Sequence, residues 1–159
     1  MKNKRIFTVI MALLLVMSIF TACSDEPEPT NPAVLSNQYF SVTVPDDWVE
    51  KIYVEIDEKT ISVSQKAAYE SFEGGWLFSV SLFEDTMYEE LPSYEVISHL
   101  WKENDETQNR VDWYLVATYP TDVQADVENE ESMREYFDMF EQAPTIIKNN
   151  CTFLIDEIS

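Results

Sequence analysis

Two cysteines, one histidine and thirty carboxylates are the residues of this chain best suited to do chemistry. His99 stands alone, so neither a paired-histidine metal site nor a histidine pair can be built around it. It lies in an alternating, half-apolar segment that reads more simply as structure than as a catalytic base. A Ser-His-Asp triad would need the fold to carry a serine to it. Gly74-Gly75 are the only glycines, so the chain has no G-x-S-x-G elbow, no P-loop and no G-x-G-x-x-G. The carboxylates are too plentiful to mark a site. A glycosidase needs two acids about 5 to 10 Å apart, and among thirty some pair meets that by chance. Asp122, Asp126 and Glu128, with Glu130 and Glu131 beside them, are the oxygen ligands a hard cation such as Ca²⁺ would use. They lack the D-x-D-x-D-G spacing of an EF-hand, and a solvated acidic loop is the simpler reading. No metal and no cofactor is expected. Among the four tryptophans, Trp76 and Trp113 are expected in the core, while Trp48 and Trp101, near turns, are the ones expected to meet a ligand.

Cys23 is placed by what precedes it. Lys2, Lys4 and Arg5 lead into Ile6–Phe20, which carries no charge, and this is the plan of a signal peptide. The run is shorter than the roughly 18 to 20 residues of a membrane-spanning helix, which would have to recruit Thr21, Ala22 and Cys23. Phe20 suits the −3 position of ordinary signal peptidase poorly. Phe20-Thr21-Ala22-Cys23 resembles instead the lipobox of bacterial lipoproteins, with Phe20 where Leu is usual. The resemblance implies a lipoprotein signal peptide over 1–22 and a diacylglycerol on Cys23. It also implies a domain held at the extracytoplasmic face of the bacterial cell membrane, or at the outer membrane in a Gram-negative cell. The alternative reading of Cys23 is a stray or buried cysteine near a cleavage site. Each buried CH₂ contributes about 0.8 kcal/mol, so two or more acyl chains give stable anchoring. Residues 23–37, acidic and carrying Pro27, Pro29 and Pro32, read as a tether.

Residues 38–159 are long enough for one domain with its own core. All 30 acids follow residue 22, and the chain has only 10 basic residues, for a formal charge of −20. Such a surface repels nucleic acid and anionic headgroups. With Cys23 acylated, Cys151 has no intramolecular partner and reads as a small buried apolar residue. A monomer is expected.

Period-2 alternation predicts strands at Phe40–Val44, Ile52–Ile56, Ile61–Val63 and Trp76–Phe83. In the last of these Trp76, Phe78, Val80 and Leu82 should share a face. Leu91–Trp101 fits helix or strand, and strand is preferred because a polar turn, Lys102–Arg110, follows. Val111–Tyr119, apolar on both sides, should lie inside the sheet. Thr121–Gln124 has the form of a capping box and predicts a helical turn. Asn129 is the expected N-cap of an amphipathic helix with Met133, Phe137 and Phe140 on its apolar face. Pro144 should end or kink it, with a short helix over 145–149 and an edge strand over 152–155. Strands first and helix last give an α+β class: an antiparallel sheet of about six strands packed against a C-terminal amphipathic helix.

"FSVTVPDDW", "GGWLFSVSLFED", "LPSYEV" and "WYLVATYPTDVQ" resemble segments of an uncharacterised family of lipoprotein-type domains from Gram-positive anaerobes. The strand order, the Pro45–Trp48 corner and the terminal helix are similar to the PsbP/Mog1-like α/β sandwich. The resemblance covers roughly residues 38–150 and departs at Lys102–Arg110, where relatives have a glycine-bearing turn. It implies a fold and an extracytoplasmic setting, and no catalytic residue. The expectation is a membrane-anchored, non-catalytic binding or interaction module whose partner is an envelope glycan or protein. The alternatives are a carboxylate-based envelope hydrolase and a purely accessory lipoprotein.

Overall fold

The computed structural model describes residues 33–103 and 109–154. The leader, Cys23, the proline-rich part of the tether and the middle of the Lys102–Arg110 turn lie outside the described residues. No helix among those described is long and apolar enough to cross a membrane.

The architecture is α+β with two antiparallel sheets. Strands β1 (Ala33–Ser36), β2 (Phe40–Val44) and β8 (Cys151–Phe153) form the smaller, in the order β1-β2-β8. Strands β3 (Ile52–Ile56), β4 (Thr60–Gln65), β5 (Trp76–Glu84), β6 (Tyr94–Glu103) and β7 (Arg110–Thr118) form the larger, in the order β3-β4-β5-β7-β6. Helix α1 (Lys66–Phe72) follows β4, and helix α2 (Glu130–Asn150) packs against β2 and β5. Among the described residues, eight strands therefore divide between two sheets instead of forming the expected single sheet of about six. β1 accounts for part of the difference. It lies in the stretch read as tether, yet Ala33 and Leu35 pack against the core while Val34 and Ser36 face solvent. Asn37 makes the turn that returns the chain without a glycine. Its side-chain oxygen accepts the Tyr39 and Phe40 amides at 2.9 and 3.1 Å.

The alternating segments behave as their period dictates. Phe40, Val42 and Val44 are buried on one face of β2, and Ile61 and Val63 on one face of β4. The β3–β4 hairpin sets Val54 opposite Val63, and its turn closes with the Asp57 amide donating to Thr60 O at 2.8 Å. Leu91–Trp101 does supply a strand, and β7 lies between β5 and β6.

Several further expectations are corrected. Trp48 is 1% exposed, because a 3-10 turn over Asp46–Lys51 swings the indole into the core. It is not a surface contact. Thr121–Gln124 forms no helix. Its last carbonyl is taken by the Gly75 amide at 2.8 Å, which ties the segment to the start of β5, and the helix begins only at Glu130. There Asn129 does cap, accepting the Ser132 amide at 3.1 Å. The buried stripe of α2 is Ser132, Tyr136, Met139, Ala143 and Ile147, while Met133 and Phe140 flank it and Phe137 is exposed. Pro144 does not end the helix, which runs through it to Asn150. Proline removes one amide from the ladder, at a cost of about 3 kcal/mol in a helix interior. Ala143 and Ile147, fully buried on either side of it, fasten the last turns to the sheets.

The last correction positions the site. β4 and β5 keep register from Thr60/Ser81 to Val63/Phe78, but the next pair is Ser64 with Trp76. Leu77 is the extra residue of a β-bulge, and the bulge turns Trp76 to the face opposite Phe78, Val80 and Leu82. The alternation of the segment is right, and the pairing overrides it at its first residue.

Candidate functional site

The large sheet has two unlike faces. Toward α2 lie Ile61, Val63, Phe78, Val80, Leu82, Leu115 and Ala117, all in the core. Facing away are the intervening residues, and in the middle of that outer face they are hydroxyls. Thr60 meets Ser81 at 2.9 Å, Ser62 meets Ser79 at 2.7 Å, and the bulge-turned Trp76 donates its indole N–H to Ser79 Oγ at 3.0 Å. That bond fixes the indole over the sheet. A second tie locks the same residue from behind, where the Tyr136 hydroxyl donates to the Trp76 carbonyl at 3.1 Å. Gly75, at φ 80°, makes the corner before it. A Cβ there would stand 2.8 Å from both the Ala68 Cβ and the Gln65 carbonyl oxygen.

Beside Trp76 opens a cleft of about 300 Å³. Its lining joins the indole to Leu91, Pro92 and Ser93 before β6, Thr118 and Tyr119 at the end of β7, and Thr121, Asp122 and Gln124 of the following loop. An aromatic face is thus ringed by hydroxyls, one amide and one carboxylate. The Tyr119 hydroxyl oxygen is buried with no hydrogen-bond partner among the described residues. Burial, with the charge of Glu95 added, pushes its phenol pKa up.

At the other end of the outer face an aromatic ledge is built on β6 and β7. Tyr88, brought over the sheet by a 3-10 turn at Met87–Glu90, packs on Phe83, Tyr94 and Tyr114 with ring centroids 4.9 to 6.3 Å apart. His99 stacks on Tyr114 at 4.5 Å and sets Nε2 2.6 Å from Asp112 Oδ1. Arg110 Nε reaches both oxygens of the same carboxylate at 2.9 Å, and its guanidinium lies 5.2 Å from the Trp101 ring. Hydrogen bonding from Arg110, and less from His99, holds the Asp112 carboxyl below the usual range against the opposing effect of desolvation. The sole histidine is therefore committed to a surface ion network. Among the described residues no serine or threonine hydroxyl is bonded to it.

Trp101, the second expected contact, is 56% exposed at the end of this ledge. The acidic trio is not brought together. Asp122 lies in the Trp76 cleft, whereas Asp126 Oδ1 accepts the Glu128 amide at 3.1 Å and shapes the loop before α2. No group of three or more His, Cys, Asp or Glu able to hold a metal occurs among the described residues. Cys151 is half-buried, and burial pushes its thiol up to about 11, which keeps it protonated.

Sequence reasoning missed the cleft because it assigned Trp76 to the wrong face, and missed Asp112 and Arg110 because isolated charges on a strand carry no signal. The register shift had one visible trace, a glycine pair directly before the most apolar strand. Comparison with protein-family models, with curated proteins and with solved structures finds no match to this chain.

Proposed function

We propose that this chain is a non-catalytic binding module, lipid-anchored through Cys23 outside the cytoplasmic membrane, that takes an envelope glycan in the Trp76 cleft. The observation that carries the reading is the cleft's composition. An indole face held rigid by Ser79 stacks against the C–H face of a sugar ring. Ser93, Thr118, Thr121, Gln124 and Asp122 around it can exchange hydrogen bonds with sugar hydroxyls. Asp122 and the formal charge of −20 favour neutral or amino sugars over acidic ones. The basic, apolar leader and the lipobox-like Phe20–Cys23 support the anchor, and residues 24–32 serve as its spacer. The sandwich-like pairing of α2 with two antiparallel sheets is in keeping with a PsbP/Mog1-like domain.

Titration of the full chain in mild detergent with soluble neutral and amino-sugar oligosaccharides tests the site. Binding that is lost in Trp76→Ala and retained in Trp101→Ala is the expected result. Equal binding by Trp76→Ala, or none by the native chain, removes the cleft from the account. For the anchor, Cys23→Ser should abolish acyl labelling and free the protein from membranes. Persistent labelling would refute the lipobox.

A further inference from the structure

Strand β6 is the last strand of the large sheet, and among the described residues its second edge pairs with no strand. Ten residues of free edge, about 33 Å long, carry three exposed large apolar side chains, Tyr94, Val96 and Trp101. All three point to the outer face, as their partners Thr118, Val116 and Asp112 on β7 require. Exposed edges of this kind template further strand pairing unless they are blunted. β6 carries a bulge between Val96 and Ser98, and the charges Glu95 and Lys102 on its core side, as blunting devices against an ordinary strand.

The bulge selects the partner. Tyr94, Val96, His99 and Trp101 face outward, while Glu95, Ile97, Ser98 and Leu100 face the core side. A regular strand laid along this edge could match faces on one half and would present the wrong face on the other. A strand with the same shift matches both. Laid antiparallel on itself, β6 sets Tyr94 opposite Trp101, Val96 opposite His99, Glu95 opposite Leu100 and Ile97 opposite Ser98, with no face mismatched. Lys102 then falls diagonal to Glu95 of the second copy, within reach of a long side chain. Glu95 pairs with Lys148 of its own chain at 4.0 Å, with both groups partly solvated, and its charge also reaches the Tyr119 phenol, so turning toward Lys102 of a second copy exchanges one weak solvated pair for another. The edge is also locally balanced within an acidic chain, since Lys102 and nearby Arg110 stand among Glu95, Glu103 and Asp112.

We propose that β6 is a homodimerisation edge: two copies pair antiparallel through Tyr94–Trp101, joining their large sheets into one of ten strands. The main chain supplies the bonds and the outward aromatic pairs supply the register.

Sedimentation of the full chain in mild detergent should give a dimer. Trp101→Glu should weaken it roughly tenfold or more, because it places a charge against an aromatic anchor. Tyr94→Lys combined with Trp101→Glu should restore it, since the register then sets opposite charges across both ends. Hydrogen exchange on the native chain tests the edge without any substitution, and β6 amides should gain protection as concentration rises. A monomeric native chain, a dimer indifferent to Trp101→Glu, a folded double variant that stays monomeric, or β6 exchange independent of concentration would each overturn the proposal.

Discussion

The two faces of the large sheet are made by the same five strands and obey different rules. On the inner face, Ile61, Val63, Phe78, Val80 and Leu115 are fully buried in one core cluster. On the outer face, Thr60, Ser62, Ser79 and Ser81 satisfy one another across strands, with aromatic rings at both ends: Tyr53 stacked on Tyr69 beside β3, and the ledge over β6 and β7. The inner face carries stability through removal of apolar area from water, about 25 cal/mol per Å². The outer face presents hydroxyls and flat rings that are satisfied by one another and remain partly open to solvent.

Substitutions can break that division. Trp48→Ala, which empties a core site lined by α2 and the 3-10 turn, should cost about 3 to 5 kcal/mol in chemical denaturation. A loss under 1 kcal/mol would mean that the core does not depend on this indole. Among the described residues, Gln65 is the one large polar residue fully buried. Its amide donates to the Ser132 carbonyl at 2.8 Å and to Glu135 at 3.1 Å, joining β4 to α2. Gln65→Leu should therefore lose about 1 to 3 kcal/mol despite adding apolar surface, and a stabilised variant would show that the tie is dispensable. Asn129→Ala should cost about 1 kcal/mol through the lost cap, visible as reduced amide protection in the first turn of α2.

The outer face should respond least. Trp101→Ala should change stability by less than about 0.5 kcal/mol, so a large loss would assign the ledge to the core. Acid sharpens the contrast. The Asp112 carboxyl titrates below its unfolded value, so its contribution is present at neutral pH and is lost as pH falls through and below about 4. Asp112→Asn should flatten that acid limb in a pH series of melting curves, and added salt should shrink the difference because the network is solvated. An unchanged limb would remove the Arg110–Asp112–His99 network from the stability account.

Much of the inner face was legible in the chain. Phe40–Val44 and Ile61–Val63 alternate with a period no helix tolerates, and Asn129 followed by two glutamates announces a helix start. What escaped depends on pairing across the sequence. The face of Trp76 is set by a residue too many opposite β4, Trp48 is buried by a turn whose direction local residues do not encode, and Pro144 survives because Ala143 and Ile147 are held from outside the helix. For the site, Asp122 could be named from its type, but only the Gln124–Gly75 tie brings its loop beside the indole.

The four-residue strand β1 has a mechanical consequence. Ala33 pairs with Val44 and Ser36 with Ser41, so tension arriving along the chain from its N-terminal side pulls at the open end of this hairpin. Bonds there fail one after another, as a zipper does, and do not share the load as they would in shear. Peeling β1 would release roughly 13 Å of chain, at about 3.3 Å per residue, while β2 remains paired to β8 and buried against α2. Under such a pull β1 would yield before the folded core, and the chain would lengthen without loss of that core.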